Sequence, residues 1–482
     1  MSTTDVLIVG AGPAGLACAA TLLDQSDLSI VILDAGHGPG GQYWRQPAPA
    51  SGPDALDGGE LADLHHDRAT FSRLVRRIEQ GRSQGRVEVR SEQHVWSVVP
   101  QDEGYAAQTV DRSGGPGRVV GSTTHARAVL VATGAYDRAL PFPGWDLPGV
   151  MTVGGLQALL KAGGVTAGRR VAIGGTGPFL LPVAAGLARR GSTVVGVYEA
   201  NRPGAWLREG RAVARNLTKL GEGAGYARTL LRHRVSLRTG RLIVAAHGTD
   251  RVEAVTVARL DRAGHVVAGS EQRVAVDAVG VGWGFTPQLD LAVTLGVDLT
   301  TDAAGTQVVA VDDLQRTSRR GVYAAGEVCG VGGAALAVAE GRLAAAGIVA
   351  DLDGRVLTGE TLARGRREVG RLRAFADAIL RAHPVPAGWA ERLQDDTVIC
   401  RCEEVRYAAV REAIHEQGAG DARQVKQLTR TGMGWCQGRV CGYAADLLSC
   451  GRPGPAVERL IAAPAPLGAL AAGGSASQAP VD

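Results

Sequence analysis

The sequence predicts an α/β protein in which two parallel-sheet domains, the second inserted in the first, precede a small α-rich cysteine module. Two segments predict the domains, because each has an apolar strand, a glycine turn, an Ala/Leu-rich helix and a second strand ending at an acidic residue. The module is predicted by four of the seven cysteines, which lie within residues 400–441.

Composition excludes several classes of function. Lys and Arg (52) nearly balance Asp and Glu (48) without a basic block, which argues against a nucleic-acid partner. No apolar stretch approaches the ~18 residues of a transmembrane segment, and the N-terminus lacks the basic start of a signal peptide. An odd number of cysteines argues against a secreted disulfide framework and favours a cytoplasmic location.

The first glycine turn lies in DVLIVGAGPAGLACAATLLDQ, where an apolar run at residues 5–9 precedes Gly10, Gly12 and Gly15. Such glycines allow a tight turn and let the backbone approach a pyrophosphate, which the free N–H groups of the following helix bind. The next strand ends at Asp34, at the spacing where a carboxylate accepts hydrogen bonds from a ribose. We therefore predict a Rossmann-like nucleotide site here.

A second copy lies in RRVAIGGTGPFLLPVAAGLARRGSTVVGVYEA, with Gly175, Gly177 and a terminal Glu199. Leu180 stands where the third glycine would be, so the packing of helix on strand must differ. We expect a second adenine nucleotide, and Glu199 favours NAD over NADP, although Arg202 weakens that preference. The other interpretation is a Rossmann-like unit kept as scaffold with an empty or repurposed pocket.

The order of these motifs predicts the domain boundaries. Ala132-Thr133-Gly134 ends an apolar strand between the two copies, and Gly326-Glu327 precedes an Ala-rich helix after the second copy. We predict a split first domain, an inserted second domain, a helical linker, the cysteine module and a disordered tail rich in Ala, Gly, Pro and Ser. Their ranges are 1–150 with 278–350, 151–277, 351–395, 396–452 and 453–482.

The cysteines Cys400, Cys402, Cys436 and Cys441 form a CxC pair and a CxxxxC pair. Four thiolates suit either a [2Fe-2S] cluster or a structural zinc ion, and a disulfide or free thiols is the third possibility. We favour the cluster, because glycines at 432, 434, 438 and 442 let backbone N–H groups turn toward the sulfurs.

The motifs of residues 1–350 resemble those of the two-dinucleotide-domain flavoprotein oxidoreductases. The resemblance implies FAD in the split domain, with Thr133 and Gly134 beside it, and NAD(H) or another adenine nucleotide in the inserted one. It also implies that Glu327, which replaces the common Asp, reaches the ribityl chain. Many relatives use a redox dithiol, but this chain has no cysteine between Cys18 and Cys329, which argues against a disulfide reductase.

Three further segments narrow the resemblance to a smaller group of these oxidoreductases: GGQYWRQP at residues 40–47, CRCEEV and GMGWCQGRVCG. They are similar to the α-type subunit of heteromeric opine, D-hydroxyproline and L-proline dehydrogenases, the middle subunit of hydrogen cyanide synthase and the head of the sarcosine oxidase α chain. The resemblance implies that Gly41 and Gln42 of this chain lie on the isoalloxazine side of the flavin. Tyr43, Trp44 and Tyr136 would lie either near the flavin or in the core. The cysteine segment resembles bacterioferritin-associated ferredoxin, which usually ends in CxxC.

The resemblance implies a function as the electron-relaying α subunit of an amine or amino-acid dehydrogenase. It also implies an FAD-bearing β subunit that oxidises the small-molecule amine, FMN at a subunit interface and a ferredoxin-like γ subunit. No residue of this chain is assigned as catalytic, because cofactors carry the chemistry. Two other functions remain open, a stand-alone NADH-dependent flavoprotein reductase and a non-catalytic nucleotide-binding scaffold.

Overall fold

The computed structural model describes residues 3–47, 64–114, 120–355, 359–455, 459 and 461–473. Its strands are β1 (Thr4–Val9), β2 (Ile30–Leu33), β3 (Val87–Arg90), β4 (Gln93–Gln101), β5 (Gly104–Asp111), β6 (Val120–Val131), β7 (Ala135–Asp137), β8 (Val150–Thr152), β9 (Arg170–Gly175), β10 (Thr193–Glu199), β11 (Leu237–Thr239), β12 (Arg241–His247), β13 (Ala254–Arg259), β14 (Gln272–Ala275), β15 (Ala278–Gly282), β16 (Phe285–Pro287), β17 (Leu299–Thr301), β18 (Gln307–Val309), β19 (Val322–Ala324), β20 (Val398–Cys400) and β21 (Val405–Arg406). Its α-helices are α1 (Pro13–Gln25), α2 (Arg68–Ser83), α3 (Val153–Gly163), α4 (Leu180–Arg189), α5 (Gly210–Ala214), α6 (Leu217–Arg232), α7 (Asp290–Thr294), α8 (Ala334–Asp353), α9 (Glu360–Ala382), α10 (Tyr407–His415), α11 (Ala422–Thr429), α12 (Gly442–Cys450) and α13 (Leu467–Gly473).

The first sheet has the order β3-β2-β1-β6-β5-β4, and β19 also pairs with β6. Strands β3, β2, β1, β6 and β19 run parallel, whereas β4 and β5 form an antiparallel extension. Strand β1 is buried on both faces, because Val6 and Ile8 pack on one side and Leu7 and Val9 on the other. Its continuous apolar run follows from this two-sided burial.

The second sheet has the order β11-β10-β9-β15-β8, and every pair in it is parallel. A separate antiparallel sheet, β12-β13-β14, packs beside it through residues such as Ile243 and Val255. The predicted α/β class with two Rossmann-like sheets is therefore confirmed.

One predicted boundary is wrong. We predicted that the chain returns to the first domain at residue 278, but β15 pairs with β9 over the whole run from Ala278 to Gly282. The reason is that β15 lies between β9 and β8 in the second sheet, where Gly282 pairs with Gly175. An apolar run does not reveal such a long-range pairing. Residues 285–287 (β16) then pair with β7 in a two-stranded ribbon between the sheets.

The helix α9 fills most of the segment predicted as a helical linker, and the cysteine module comprises β20, β21, α10, α11 and α12. The prediction of a disordered tail is wrong for residues 461–473, and residues 474–482 lie outside the described part. Ala462 is buried and its N–H donates to the Trp96 carbonyl at 2.7 Å, while α13 packs its buried Ala469 against β6. Small alanines thus pack closely where composition alone suggested too little apolar surface.

No described helix is long and apolar enough to cross a bilayer.

Candidate nucleotide sites and cysteine centre

The first glycine turn joins β1 to α1 at the centre of the first sheet. Gly10 has φ of +109°, and a Cβ there would lie 2.3 Å from the Ala132 carbonyl oxygen. A Cβ on Gly15 would lie 1.9 Å from the Gly10 carbonyl oxygen, so this glycine permits close packing of helix on strand. Gly12 instead faces open space, with no atom within 4 Å of the position that a Cβ would take. The turn therefore has the room that a pyrophosphate needs.

Asp34 lies beside this turn at the end of β2. Its Oδ2 accepts from the Ala11 N–H at 2.5 Å and its Oδ1 from the Gly36 N–H at 2.7 Å. Burial raises the pKa of this carboxyl, while these two N–H groups oppose the rise. The carboxylate is only partly buried, so it has acceptor capacity left for a ribose.

The other residues predicted for the first site lie around the same turn. Gly41 packs on Gly12, because a Cβ on Gly41 would lie 2.9 Å from the Gly12 Cα atom. Gln42 is exposed and accepts a hydrogen bond from Arg45. Thr133 donates to the Gln288 carbonyl at 2.9 Å, and Gly134 follows with φ of +78° and open space around it.

Gly326 and Glu327 lie at the end of β19, next to β6. The Glu327 carboxylate accepts from the N–H of Gly333 at 3.1 Å, before the first turn of α8, and burial raises its pKa. The Gly326 N–H donates to Glu340, a buried carboxylate that is paired with Arg373. A contact between Glu327 and a ribityl chain stays a prediction.

The second glycine turn repeats this geometry at β9. A Cβ on Gly175 would lie 1.8 Å from the Gly282 carbonyl oxygen, and Gly177 has φ of +100° in open space. Leu180 is buried where the third glycine was missing, and it fits because a glycine, Gly282, faces it on β15. The Glu199 carboxylate accepts from the Gly177 N–H at 2.8 Å and from the Asn201 N–H at 2.9 Å.

The aromatic residues considered for the flavin side divide between the core and the ribbon. Trp44 is buried against Phe71 and donates to the His66 carbonyl at 2.9 Å, so it packs in the core. Tyr43 stacks edge-on against Trp44, and the Lys161 ammonium donates to the Tyr43 carbonyl at 2.6 Å. Tyr136 lies in β7, and burial raises its pKa to about 12.

The four cysteines of the module interact with one another, Cys400 with Cys441 and Cys402 with Cys436. All seven cysteines of the chain are free thiols, so the disulfide possibility finds no support. No three His, Cys, Asp or Glu side chains in the described ranges converge on a point where one metal ion would bind. Four thiols in this arrangement offer the ligand type of either a two-iron cluster or a structural zinc ion.

The backbone of the module favours thiolates. The hydrogen bond from the Cys441 thiol lowers the pKa of Cys400 to about 5, and the N–H groups of Gly432, Glu403 and Cys402 act in the same direction. The Gly432 N–H reaches the sulfur because this residue has φ of +84°. The chemistry of this donor set therefore fits an iron–sulfur cluster, whose ligands are thiolates with N–H donors around them.

Three contacts attach the module to the junction between the two sheets. Trp145 donates to the Val398 carbonyl at 2.6 Å, and the Arg401 guanidinium stacks on its ring. The Arg138 guanidinium lies 4.0 Å from the ring centroid of Tyr443 in α12.

The third contact is an ion-pair cluster. The buried carboxylate of Asp290 pairs with Arg439, at 3.0 Å, and with Arg459. Arg439 lies between Cys436 and Cys441 in the sequence, so the cysteine loop is held directly against α7.

Comparison with known proteins agrees with this architecture. The profile of the pyridine nucleotide-disulphide oxidoreductase family matches residues 4–341. The chain belongs to this family. The profile described as a BFD-like [2Fe-2S] binding domain matches residues 398–448 and covers all four cysteines. This member of the family is therefore an FAD-type oxidoreductase with an iron–sulfur module.

Among relatives of this family member, the HcnB subunit of hydrogen cyanide synthase from Pseudomonas protegens is 32% identical over 92% of this chain and 91% of its own. The opine oxidase A-type subunit from Rhizobium meliloti is 34% identical over 93% of each chain. The crystal structure of L-proline dehydrogenase from P. horikoshii matches 97% of this chain and 79% of its own, with a TM-score of 0.68 and 19% identity, which shows a shared fold. The predicted family resemblance is confirmed.

Several residues that shape these sites were not predicted. Glu340, Asp290, Arg138 and His383 each contact a site element, yet none lies within a motif. Arg138 and Tyr443 are 305 positions apart, for example.

Proposed function

We propose that this chain is the electron-relaying α subunit of a heteromeric amine or amino-acid dehydrogenase of the opine, hydroxyproline or proline type. In this proposal FAD binds at the first glycine turn, with Gly10, Gly12, Gly15, Asp34, Gly41, Gln42, Thr133, Gly134, Gly326 and Glu327 around it. Cys400, Cys402, Cys436 and Cys441 hold a [2Fe-2S] cluster. When bound, the flavin takes electrons in pairs and the cluster passes them singly.

The observation that carries the proposal is the attachment of the cysteine module beside the first nucleotide site. The Arg138 guanidinium donates to the Tyr443 hydroxyl at 3.3 Å, and Tyr443 lies two residues after Cys441. Arg138 in turn lies four residues after Gly134, which limits their separation to about 14 Å of extended chain. A one-electron centre attached to the segment that follows Gly134 supports a relay, whereas a scaffold would not require it.

The two thiol pairs suggest how the cluster is held. Cys400, Cys402, Cys436 and Cys441 would hold the cluster, and Cys400 interacts with Cys441 as Cys402 does with Cys436. The chain's residues thus provide the ligands and the N–H donors, and the arginine contacts keep the loop in place.

The names of two relatives support a partner subunit, because HcnB and the opine oxidase A-type chain are each named as a subunit of an enzyme. We propose that an FAD-bearing β subunit oxidises the amine and that electrons then cross to this chain. FMN at the subunit interface and a ferredoxin-like γ subunit remain part of the proposal. We also propose a cytoplasmic location, because an odd number of cysteines argues against a secreted disulfide framework.

The first test is anaerobic purification of the full chain, with measurement of flavin, iron, zinc and acid-labile sulfide. The proposal expects one flavin with about two irons and two sulfides per chain, the stoichiometry of one [2Fe-2S] cluster. Zinc in place of iron would remove the one-electron relay. Absence of both flavin and iron would leave a nucleotide-binding scaffold.

The second test is coexpression with an FAD-bearing β subunit of the opine, hydroxyproline or proline type. Addition of the corresponding amine to the purified complex should bleach the flavin and then reduce the cluster, seen by its electron paramagnetic resonance signal. A β subunit that turns over its amine equally fast without this chain would contradict the relay.

A further inference from the structure

The two nucleotide folds of this chain differ in what covers their acidic residue. Both acids accept a hydrogen bond from their glycine turn, Asp34 from the N–H of Ala11 and Glu199 from the N–H of Gly177. Asp34 remains partly open, whereas Glu199 is 8% exposed. Residues 383–384, which follow α9, lie over the second fold beside Glu199.

Three hydrogen bonds hold this segment across the second glycine turn. The Thr176 hydroxyl, in the middle of the turn, donates to the His383 carbonyl at 3.2 Å. The Asn201 side-chain amide donates to the Pro384 carbonyl at 3.0 Å. The Trp206 indole N–H donates to His383 Nε2 at 3.1 Å, and the two rings stack edge-on.

The imidazole lies against the acid itself. His383 Nδ1 is 3.4 Å from Glu199 Oε1, which also accepts from the Asn201 N–H at 2.9 Å. The other oxygen of Glu199 accepts from the Gly177 N–H. A ribose diol that approached Glu199 would therefore meet the imidazole and the proline carbonyl instead of free acceptor positions.

Helix α9, which precedes residues 383–384, is itself held against the second fold by side-chain contacts. Arg381 makes a two-pronged ion pair with Glu209 at 2.8 and 2.9 Å, and Phe375 packs near Trp206 with ring centroids 6.0 Å apart. Arg202, the residue that could have received a 2′-phosphate, donates to the Leu260 carbonyl at 2.7 Å. The residues at the second fold thus fit neither NAD(H) nor NADP(H).

We infer that residues 383–384 occupy the ribose position of the second nucleotide fold and close it to nicotinamide dinucleotides. Only one of the two folds then binds a dinucleotide, and NADH does not deliver electrons to the flavin of this chain. Electrons must enter from a partner, which agrees with the proposed function and excludes the stand-alone reductase.

The test uses the full chain as purified with its flavin. We expect no saturable binding of NAD⁺ in calorimetry and no anaerobic bleaching of the flavin by NADH up to about 1 mM, the upper end of ordinary substrate constants. The double substitution W206A/H383G removes the imidazole and its support, so NAD⁺ binding should appear. The matched control, Arg366→Ala, breaks an ion pair with Asp313 at the other end of the same helix and should leave the fold closed.

Two results would overturn the inference. One is saturable NAD⁺ binding to the unmodified chain that Glu199→Gln weakens about tenfold, since this would show the acid already bonding a ribose. The other is a folded double variant that still fails to bind NAD⁺, which would show that the His383 imidazole is not what closes the fold. Flavin and iron contents of the same samples report on the relay separately, so a failed relay and an open second fold are distinguishable.

Discussion

The guanidinium carbon of Arg401 lies 3.9 Å from the centroid of the Trp145 ring, which joins the CxC pair of the cysteine module to the loop between the two sheets. Arg401 stands between Cys400 and Cys402, and Trp145 is 3% exposed. This cation–π contact is thus one of the contacts that connect the cysteine module to the nucleotide-binding part of the protein.

We predict that Trp145→Ala loosens the module. The substitution removes the stacking surface of Arg401 and the hydrogen bond to the Val398 carbonyl, and truncation of a buried aromatic costs about 3–5 kcal/mol. Limited proteolysis should cut the chain near residue 395 faster, and iron content should fall. Trp435→Ala is the matched control, since Trp435 is 80% exposed beside Cys436 and its loss should change stability by less than about 0.5 kcal/mol.

The proposed ligand set predicts that loss of a ligand cysteine lowers the iron content, whereas loss of a cysteine outside the set does not. Cys436→Ser should abolish the visible absorbance of the cluster and reduce iron to background, because a hydroxyl is a poor replacement for a thiolate ligand. Cys450→Ser should retain full iron content, since this exposed cysteine at the end of α12 bonds the Gly420 carbonyl and lies outside the four. Equal iron in both variants would refute the ligand set.

Two glycines of the first turn should respond differently to alanine. Gly10→Ala forces a methyl against the Ala132 carbonyl at a positive φ, so the free energy of unfolding should fall by at least about 1–3 kcal/mol. Gly12→Ala places its methyl in open space at φ of −76°, which any residue adopts, so stability should hold. The same methyl would occupy the proposed pyrophosphate space, and flavin retained after gel filtration should drop. Normal flavin content in Gly12→Ala would mean that the flavin does not bind at this glycine turn.

Asp446 in α12 predicts a pH effect. Burial raises the pKa of this carboxyl to about 6, while the Gly454 N–H opposes the rise. The folded state therefore holds the proton more tightly than the unfolded state, so this group's contribution to stability is lost as the pH rises from about 4 to 6. Asp446→Asn keeps an acceptor for Gly454 and should stabilise the protein at pH 8 by about 1–2 kcal/mol after allowance for solvent screening.

Denaturant unfolding of Asp446→Asn and the parent chain at pH 8 and pH 5 checks this effect. The gain should shrink at pH 5, where the parent carboxyl is largely protonated in the folded state. A gain that is equal at both pH values would mean that the charge of Asp446 is not the cause.

The sequence predicted those parts of the site whose chemistry lies within a few tens of consecutive residues. The turn at Gly10–Gly15 and its acid Asp34 belong to one strand–helix–strand unit, so spacing alone placed them together. The same holds for the second turn and Glu199. The CxC and CxxxxC pairs could be predicted as one centre, because thiol clusters have few other uses in a reducing environment.

Positions that depend on pairing between distant segments could not be predicted. Strand β15 was placed in the wrong sheet, because its apolar run satisfies either sheet and only its register with β9 decides. The tail was predicted as disordered, although Ala462 and Ala469 find close-fitting surfaces on the first sheet. Small residues give little hydrophobic signal, and their burial depends on the shape of the partner surface.

By itself the sequence determined the fold class, the two glycine turns with their acids and the set of four thiols. Each is local, because a backbone conformation or a ligand type is specified by the residue that carries it. The tertiary structure decided which of the two nucleotide folds stays open. His383 lies 184 positions beyond Glu199, and only the packing of α9 against the second sheet brings its imidazole to that carboxylate.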